Sequence, residues 1–433
     1  MTKPVAVLCW SVALLGCGLA LADAAAVLAE GGSSPIKGDD LVAAINAAEP
    51  GDVVIVPPGK YRGGTIIRDG VTVRATPEPG AVVTGGVNLR ANDVVLEGLL
   101  WQDLNDQLLQ VRGSRNVIRN CRFRRFGLSG PAKAIWIRED GSYNDTVIEG
   151  CLFEDWGGKT YHSSCVKIGQ AGFGDAHSGT IVRNCILRRG AVGGNSPALQ
   201  PFCPSLLEGN TIHDCEDGIE VKGSHITVRN NTVYRCLGGE AMSNRSGSHN
   251  LFEDNLLHDI PGYAWQIWTG EQNVWRNNVI YNCGRIAHIK GGNRPGQEAR
   301  DILLINNTFV GNDRGISWDL KKHPPHGIRL LNNIFVGDGS SAIEPAGRDL
   351  LQEDHNLFFR FMPPSAPGSG SICGVDPLFR DMVAHDFRLR PGSPALDAGL
   401  AVLKGLPPCD RLGTSRRQGL GVDIGAFEMP AAR

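Results

Sequence analysis

Aromatic residues make up only 6% of the chain and methionine only five positions. A large core of bulky side chains is therefore not the expected architecture. Neither charge sign dominates: 43 basic side chains stand against 45 acidic ones, a formal net charge of −2. That balance argues against a nucleic-acid binder, whose domain is ordinarily strongly basic. Long apolar runs are absent after the first two dozen residues, so no later segment is expected to span a membrane. Cys-X-X-Cys pairs are missing although there are 12 cysteines, which removes the common zinc signatures. What the chain has in excess is glycine, 56 of 433 residues, the mark of many tight turns.

The first residues read as an export signal over 1–22: Lys3, the apolar run VAVLCWSVALLGCGLALA, then small residues suited to cleavage after Ala22. The phrase LLGC offers a rival, a lipid anchor through Cys17, but the chain stays apolar beyond it, which favours plain export. The mature protein is expected in the periplasm or outside the cell.

From about residue 117 the chain repeats itself: VIRNCRF, VIEGCLF, IVRNCIL, LLEGNTI, VRNNTVY, FEDNLLH, WRNNVIY, INNTFVG, LNNIFVG. With Asn120, Gly150, Asn184, Asn210, Asn231, Asn255, Asn278, Asn307 and Asn333 as anchors, the steps are 30, 34, 26, 21, 24, 23, 29 and 26 residues. Such a period means a solenoid or a propeller. Each unit alternates apolar and polar residues with period two and is broken by Gly and Asn, so it holds short strands and not helices. About 21 residues suffice for one rung of three strands and three bends, which makes the fold class all-β, a right-handed parallel β-helix whose rungs stack ~4.8 Å apart. Cys121, Cys151 and Cys185 directly follow anchors, and Cys215, Cys236 and Cys283 lie five past them. Two cysteine ladders are expected. A pair such as Cys215 and Cys236 is open to bridging in an oxidising compartment, or to stacking as buried thiols. The solenoid is expected over 39–372, opened by a capped helix in DDLVAAINAAEPGD; an irregular closing segment follows over 373–433, its acids structural.

One strand per rung carries the candidate chemistry. Aligning AIWIR, CVKIG, GIEVK, AMSNR, AWQIW, IAHIK and SWDLK puts Ile137, Ile168, Val221, Ile267, Ile289 and Leu320 inside. One outward column is then Trp136, Lys167, Glu220, Ser243, Gln266, His288, Asp319. The other is Arg138, Gly169, Lys222, Arg245, Trp268, Lys290, Lys321. Stacked like charges repel, so a strip of cations needs a reason. The plain reason is a solvated face that deters edge pairing. The functional one is a groove for an extended acidic polysaccharide.

Two segments, SSCVKIGQAGFGDAHSGTIVRNCIL (163–187) and DGIEVKGSHITVRNNTVYRCLGGEAMSNRSGSHNLFEDNLL (217–257), resemble the core of polysaccharide lyase family six, the chondroitinase B and alginate lyase group. The resemblance runs over residues 40 to 290. It implies β-elimination on a uronate-containing chain, with Lys222 as base, Arg245 as acid and calcium on the substrate carboxylate. A base takes the C5 proton once that carboxylate is neutralised, and an acid protonates the departing glycosidic oxygen. The base role requires a lowered Lys222 pKa, for which Arg245 and Lys290 are the available cause. Of the two acids that the family has before its lysine, this sequence holds Asp217 and, at the other position, Cys215; Asp217 and Glu220 are the expected metal ligands. Ser246-Gly247 also replaces the family's His-Gly after the arginine. Lys167, Glu220, Asn244, Trp268, His288, Lys290 and Lys321 are expected to bind sugar. Two other classes remain: a β-helix glycoside hydrolase using a pair among Asp217, Glu220, Glu240 and Asp319, for which no close acid cluster is evident, and a non-catalytic polysaccharide-binding surface protein. A monomer is expected.

Overall fold

Asparagine and glycine at each bend let the chain turn back on itself every few residues. In the computed structural model Asn120, Asn184, Asn230, Asn277, Asn306 and Asn332 all hold φ between 53° and 56°, a left-handed conformation that Asn tolerates better than most side chains. Three strands per turn stack into three parallel sheets of 14, 14 and 11 strands, each strand pairing with its counterpart one rung away. In chain order a rung contributes to a first sheet (Ser33–Pro35 through Leu351–Asp354), a second (Gly59–Tyr61 through Ile372–Cys373) and a third (Gly64–Ile66 through Ile316–Asp319). The structure describes residues 33–35, 40–78, 80–158, 162–172, 177–401, 405–416 and 418–430. The expected signal at 1–22 and its alternative anchor Cys17 lie outside the described residues.

The true ladder position is the residue after each left-handed bend. Asn210, Asn231, Asn255, Asn278, Asn307, Asn333 and Asn356 are fully buried, and each side-chain Oδ1 accepts the backbone N–H of the residue one rung earlier at 2.8–3.0 Å, as in Asn231 to Asn255. The anchors read from sequence therefore mix two columns. Asn120, Gly150 and Asn184 are the bends, and Cys121, Cys151 and Cys185 continue the asparagine column, with Cys185 N–H bonded to Asn210 Oδ1 at 3.0 Å. The second cysteine column is present too: the Cys215 and Cys236 sulfurs face each other at 3.6 Å, both as free thiols.

Helix Leu41–Ala47 is capped by Asp40, whose side chain accepts Ala43 N–H at 2.9 Å, and buries Leu41 and Ile45 at the start of the solenoid. The segment beyond residue 373 packs sideways on the second sheet: Phe379, Phe387, Leu389, Ile424 and Ala426 cover Val279, Tyr281, Val310, Ile334, Val336 and Leu357. Those strands are apolar on both faces for this reason. Buried Arg416 staples the segment, donating to Asn277 Oδ1 at 2.6 Å and Gly425 O at 2.9 Å beside Glu428, so these acids are structural as expected.

Candidate active site

The outer face of the first sheet shows what purely structural charge looks like in this fold. Arg74, Glu97, Arg119, Glu149, Arg183, Glu208, Arg229, Glu253 and Arg276 stack in one column with strictly alternating sign. Five neighbouring couples pair at 2.5–3.0 Å, for example Arg119 with Glu97 and Arg276 with Glu253. The third sheet does not follow this rule.

From Lys133–Ile137 through Arg285–Lys290, the strands of the third sheet begin with an outward residue, turn two successive residues inward, and only then alternate. The first of the inward pair is small: Ala134, Cys165, Ala198, Gly218, Ala241, Ala264, all buried. At Gly218 even a Cβ would lie 2.3 Å from Ala241 O and 2.8 Å from Val233 Cγ1. The face therefore has three outward columns where simple alternation reads two. Around the candidate residues, the strand starts carry Lys133, Ser164, Pro197, Asp217, Glu240, Tyr263, Arg285. The middle carries Trp136, Lys167, Gln200, Glu220, Ser243, Gln266, His288, Ser317, and the far end Arg138, Gly169, Phe202, Lys222, Arg245, Trp268, Lys290, Asp319.

Lys222 and Arg245 occupy successive rungs of the far column, as expected: Arg245 N–H bonds Val221 O at 2.8 Å. Their side chains are 28% and 19% exposed. Phe202 lies one rung before them and Trp268 one rung after. Trp268 is held between cations, with Arg245 Cζ 4.1 Å and Lys290 Nζ 3.3 Å from its ring centroid. Lys167 Nζ lies 4.4 Å from the Trp136 ring and bonds Gln170 Oε1 at 3.1 Å. Burial lowers the pKa of Lys167, and burial with Arg245 nearby lowers that of Lys290. His288 shares a hydrogen bond with Ser317 Oγ at 2.8 Å, and burial lowers its pKa as well.

Four expectations need correction. Asn244 lies inside, in line with Val221 and Ile267 and fully buried; it donates to Thr269 O at 2.7 Å and accepts from Asn250 at 2.8 Å, so it braces the bend and does not meet sugar. Lys321 falls outside the column. Asp319 stands in line with Lys290 and pairs Lys321 at 3.0 Å, Ser317 takes the middle position, and Leu320 is 46% exposed instead of buried. A slip of two residues preserves the alternation, so periodicity alone does not detect it. The nearest charge to Lys222 is not a cation: its Nζ is 2.9 Å from Glu220 Oε2. Finally, the acids do cluster, since Asp217 and Glu240 are successive in the strand-start column and Asp217 Oδ1 accepts Glu240 N–H at 3.3 Å.

Glu220 lies 4% exposed beneath the two cations. Besides Lys222 it accepts from Gln200 Nε2 at 2.6 Å, and its Oε1 is 3.1 Å from Arg245 Nε, an ion-pair contact whose angle misses a hydrogen bond. Arg245 also donates from Nη2 to Glu240 Oε1 at 2.7 Å. Burial, followed by the charges of Glu240 and Glu216, pushes Asp217 up to about 7. Burial raises Glu240 also, against the pull of Arg245. The pair expected to hold calcium does not fit that task, because both oxygens of Glu220 are taken by nitrogen donors. Among the described residues no group of three or more His, Cys, Asp or Glu side chains is arranged around a common metal position. A cavity of about 770 Å³ exists elsewhere, on the first sheet beside Val274, Leu303, Arg329 and Gln352; it shares no residue with this face.

A family model described as the right handed beta helix region matches residues 107–280 and 173–348, together more than half of the chain. The chain belongs to the right-handed β-helix family. Among curated proteins this β-helix is 26% identical over 201 residues to the uncharacterized protein YwoF of Bacillus subtilis (strain 168), a match covering 41% of the chain and 40% of that relative. Among solved structures it resembles alginate lyase AlyF-OU02 in complex with G6 (17% identity, TM-score 0.59, 76% of this chain and 84% of that one). It also resembles a mannuronic acid specific polysaccharide family 6 lyase from human gut microbiota (15% identity, TM-score 0.56, 77% and 91%). A third is the family-six polysaccharide lyase Pedsa3628 from Pseudopedobacter saltans (12% identity, TM-score 0.51, 89% and 96%). At these identities the likeness is one of fold, the fold that residues 163–257 resemble. No helix among the described residues is long and apolar enough to cross a membrane.

Sequence reasoning missed Lys133. It lies at the start of its strand on the same face, bonds His162 O at 2.5 Å, and its pKa falls to about 8 through burial and the nearby Lys167 and Lys222. The signal was available: each small residue followed by a larger apolar one marks the inward pair, and the residue before it is outward.

Proposed function

We propose that this protein is an exported polysaccharide lyase that opens a uronate-containing polysaccharide by β-elimination. The observation that carries the reading is the far column at Phe202, Lys222, Arg245 and Trp268: two cations on successive rungs, part-exposed and flanked by aromatic rings. The alternating ladder of the first sheet supplies the contrast. Where charge serves only stability the signs alternate, whereas here like charges stack on successive rungs and stay part-exposed.

The chemistry follows from the residues present. A uronate carboxylate set against Arg245 and Lys290 loses much of its charge, which acidifies the C5 proton by stabilising the enolate-like intermediate. Lys222, in its neutral form, takes that proton. As the ammonium it returns the proton to the departing O4, while a double bond forms between C4 and C5. A guanidinium does not release protons under such conditions, so Arg245 acts here as a charge-assisted hydrogen-bond donor to the developing anion, in place of the acid role that the resemblance implies. No step runs through calcium. The fold of the family-six lyases supports the reading, as does the export signal read at 1–22.

A hydrolytic second reading has one observation in its favour: Asp217, whose pKa burial pushes up to about 7, beside Glu240. The experiment separates the two. The protein is incubated with a panel of polyuronates, and new reducing ends are measured together with the ultraviolet absorbance of an unsaturated uronate end. Equal yields of both support elimination, and reducing ends without absorbance support hydrolysis. Lys222→Ala and Arg245→Ala should each abolish the absorbing product while retaining binding; an active Lys222→Ala variant would sink the assignment.

A further inference from the structure

The groups around Lys222 and Arg245 are unequal. Glu240 touches only Arg245, and Phe202 and Trp268 offer ring faces. Glu220 alone meets both cations, 2.9 Å from Lys222 Nζ and 3.1 Å from Arg245 Nε. It comes from the middle column, two residues before Lys222 on the same face, and is the most buried of the three. Its side chain is 5% exposed against 28% for Lys222 and 19% for Arg245. A carboxylate in that position is screened little by solvent, while the cations above it keep their outer sides open. A third contact, from Gln200 Nε2 at 2.6 Å, fixes the carboxylate itself. This differs from the Arg–Glu pairs of the first sheet, where each partner is part-exposed and either is free to turn into solvent.

We propose that Glu220 is a positioning residue: it fixes the Lys222 amino group and the Arg245 guanidinium in one orientation on this face, so that both meet the same uronate. The inference rests on the lyase reading and deepens it. Lysine and arginine are long, rotamer-rich side chains, and the ordering that a substrate would otherwise have to impose on them is already made in the free protein. Because Glu220 acts through the two cations and touches no sugar, its loss falls on turnover. Binding is left to the surfaces that remain, among them Phe202, Trp268 and Lys290.

The test uses the full mature chain and a polyuronate that it opens. Glu220→Gln keeps size and one acceptor but loses charge; Glu220→Ala removes the carboxylate. A misplacement of reacting groups by about 1 Å costs on the order of a hundredfold in rate, so kcat should fall about tenfold in Glu220→Gln and about a hundredfold in Glu220→Ala, with KM changed less than about threefold. Formate added to Glu220→Ala should restore kcat at least about fivefold, since a small carboxylate fits the vacated position between two cations. Formate should do nothing for Glu240→Ala at the same concentration. Glu220→Ala within threefold of the parent kcat, or a rise in KM without a fall in kcat, overturns the proposal, as does failure of formate to rescue a variant whose melting curve matches the parent. A second measurement needs no activity. The side-chain order parameter of Arg245, read by NMR relaxation at Nε, should fall clearly in Glu220→Ala relative to the parent, because the ion pair no longer restrains the guanidinium. If no polyuronate is opened by the parent, elimination is lost as a function, and an unchanged Arg245 order parameter then counts separately against Glu220 as the fixing group.

Discussion

Replacing Asp217 by asparagine isolates the cost of the acid cluster. Burial, Glu240 and Glu216 push Asp217 up to about 7 from 3.8, while in the unfolded chain it titrates near 3.8. Between those two values the folded state holds a proton that the unfolded state has lost, so stability falls as pH rises, and the loss is complete above about pH 7. A shift of about three units corresponds to at most about 4 kcal/mol, at ~1.4 kcal/mol per unit. Asp217 is only 9% exposed, so solvent screening removes little of this. Asparagine keeps the acceptor for Glu240 N–H and has nothing to ionise. The variant should match the parent near pH 4 and exceed it by up to about 4 kcal/mol near pH 8, a rise in Tm of about 5 °C for a chain of this length unfolding as one unit. Differential scanning calorimetry across that range is the assay. An offset that does not change with pH, or a variant less stable than the parent at pH 8, refutes the account of the cluster.

Calcium supplies a related check. With both oxygens of Glu220 engaged, millimolar calcium should raise Tm by less than about 1 °C near pH 8 and chelation should leave activity unchanged, whereas a tight site would stabilise by mass action. In the asparagine ladder, Asn255→Ala takes the side-chain donor from Val228 O and the acceptor from Asn231 N–H inside the core, and a cost of about 4 kcal/mol is expected in chemical denaturation; a cost under 1 kcal/mol would show that rungs do not depend on the ladder. Trp268→Ala removes the ring between Arg245 and Lys290 and should weaken binding of uronate oligomers about tenfold by calorimetry, from lost cation–π and stacking contact. Unchanged affinity would exclude Trp268 from the groove.

Much of this protein is written in its repeats. The period of 21 to 34 residues, the Asn and Gly bends and the alternation within each unit determine three short strands per rung, because no other arrangement buries Val and Ile at that spacing while keeping every backbone group paired. The Asp40 cap, the cysteine columns and the adjacency of Lys222 and Arg245 were legible for the same reason: they depend on local pattern and on a constant step. Tertiary structure decided what local pattern leaves degenerate. Alternation is blind to a two-residue slip, which moved Asp319 into the place expected of Lys321, and it is blind to the paired inward residues that open a third column and bring Lys133, Asp217 and Glu240 onto the face. It also says nothing about which charge lies under which: whether Glu220 holds a metal or two cations depends on side chains from three rungs converging, and only the stacked solenoid brings Gln200, Lys222 and Arg245 to one carboxylate.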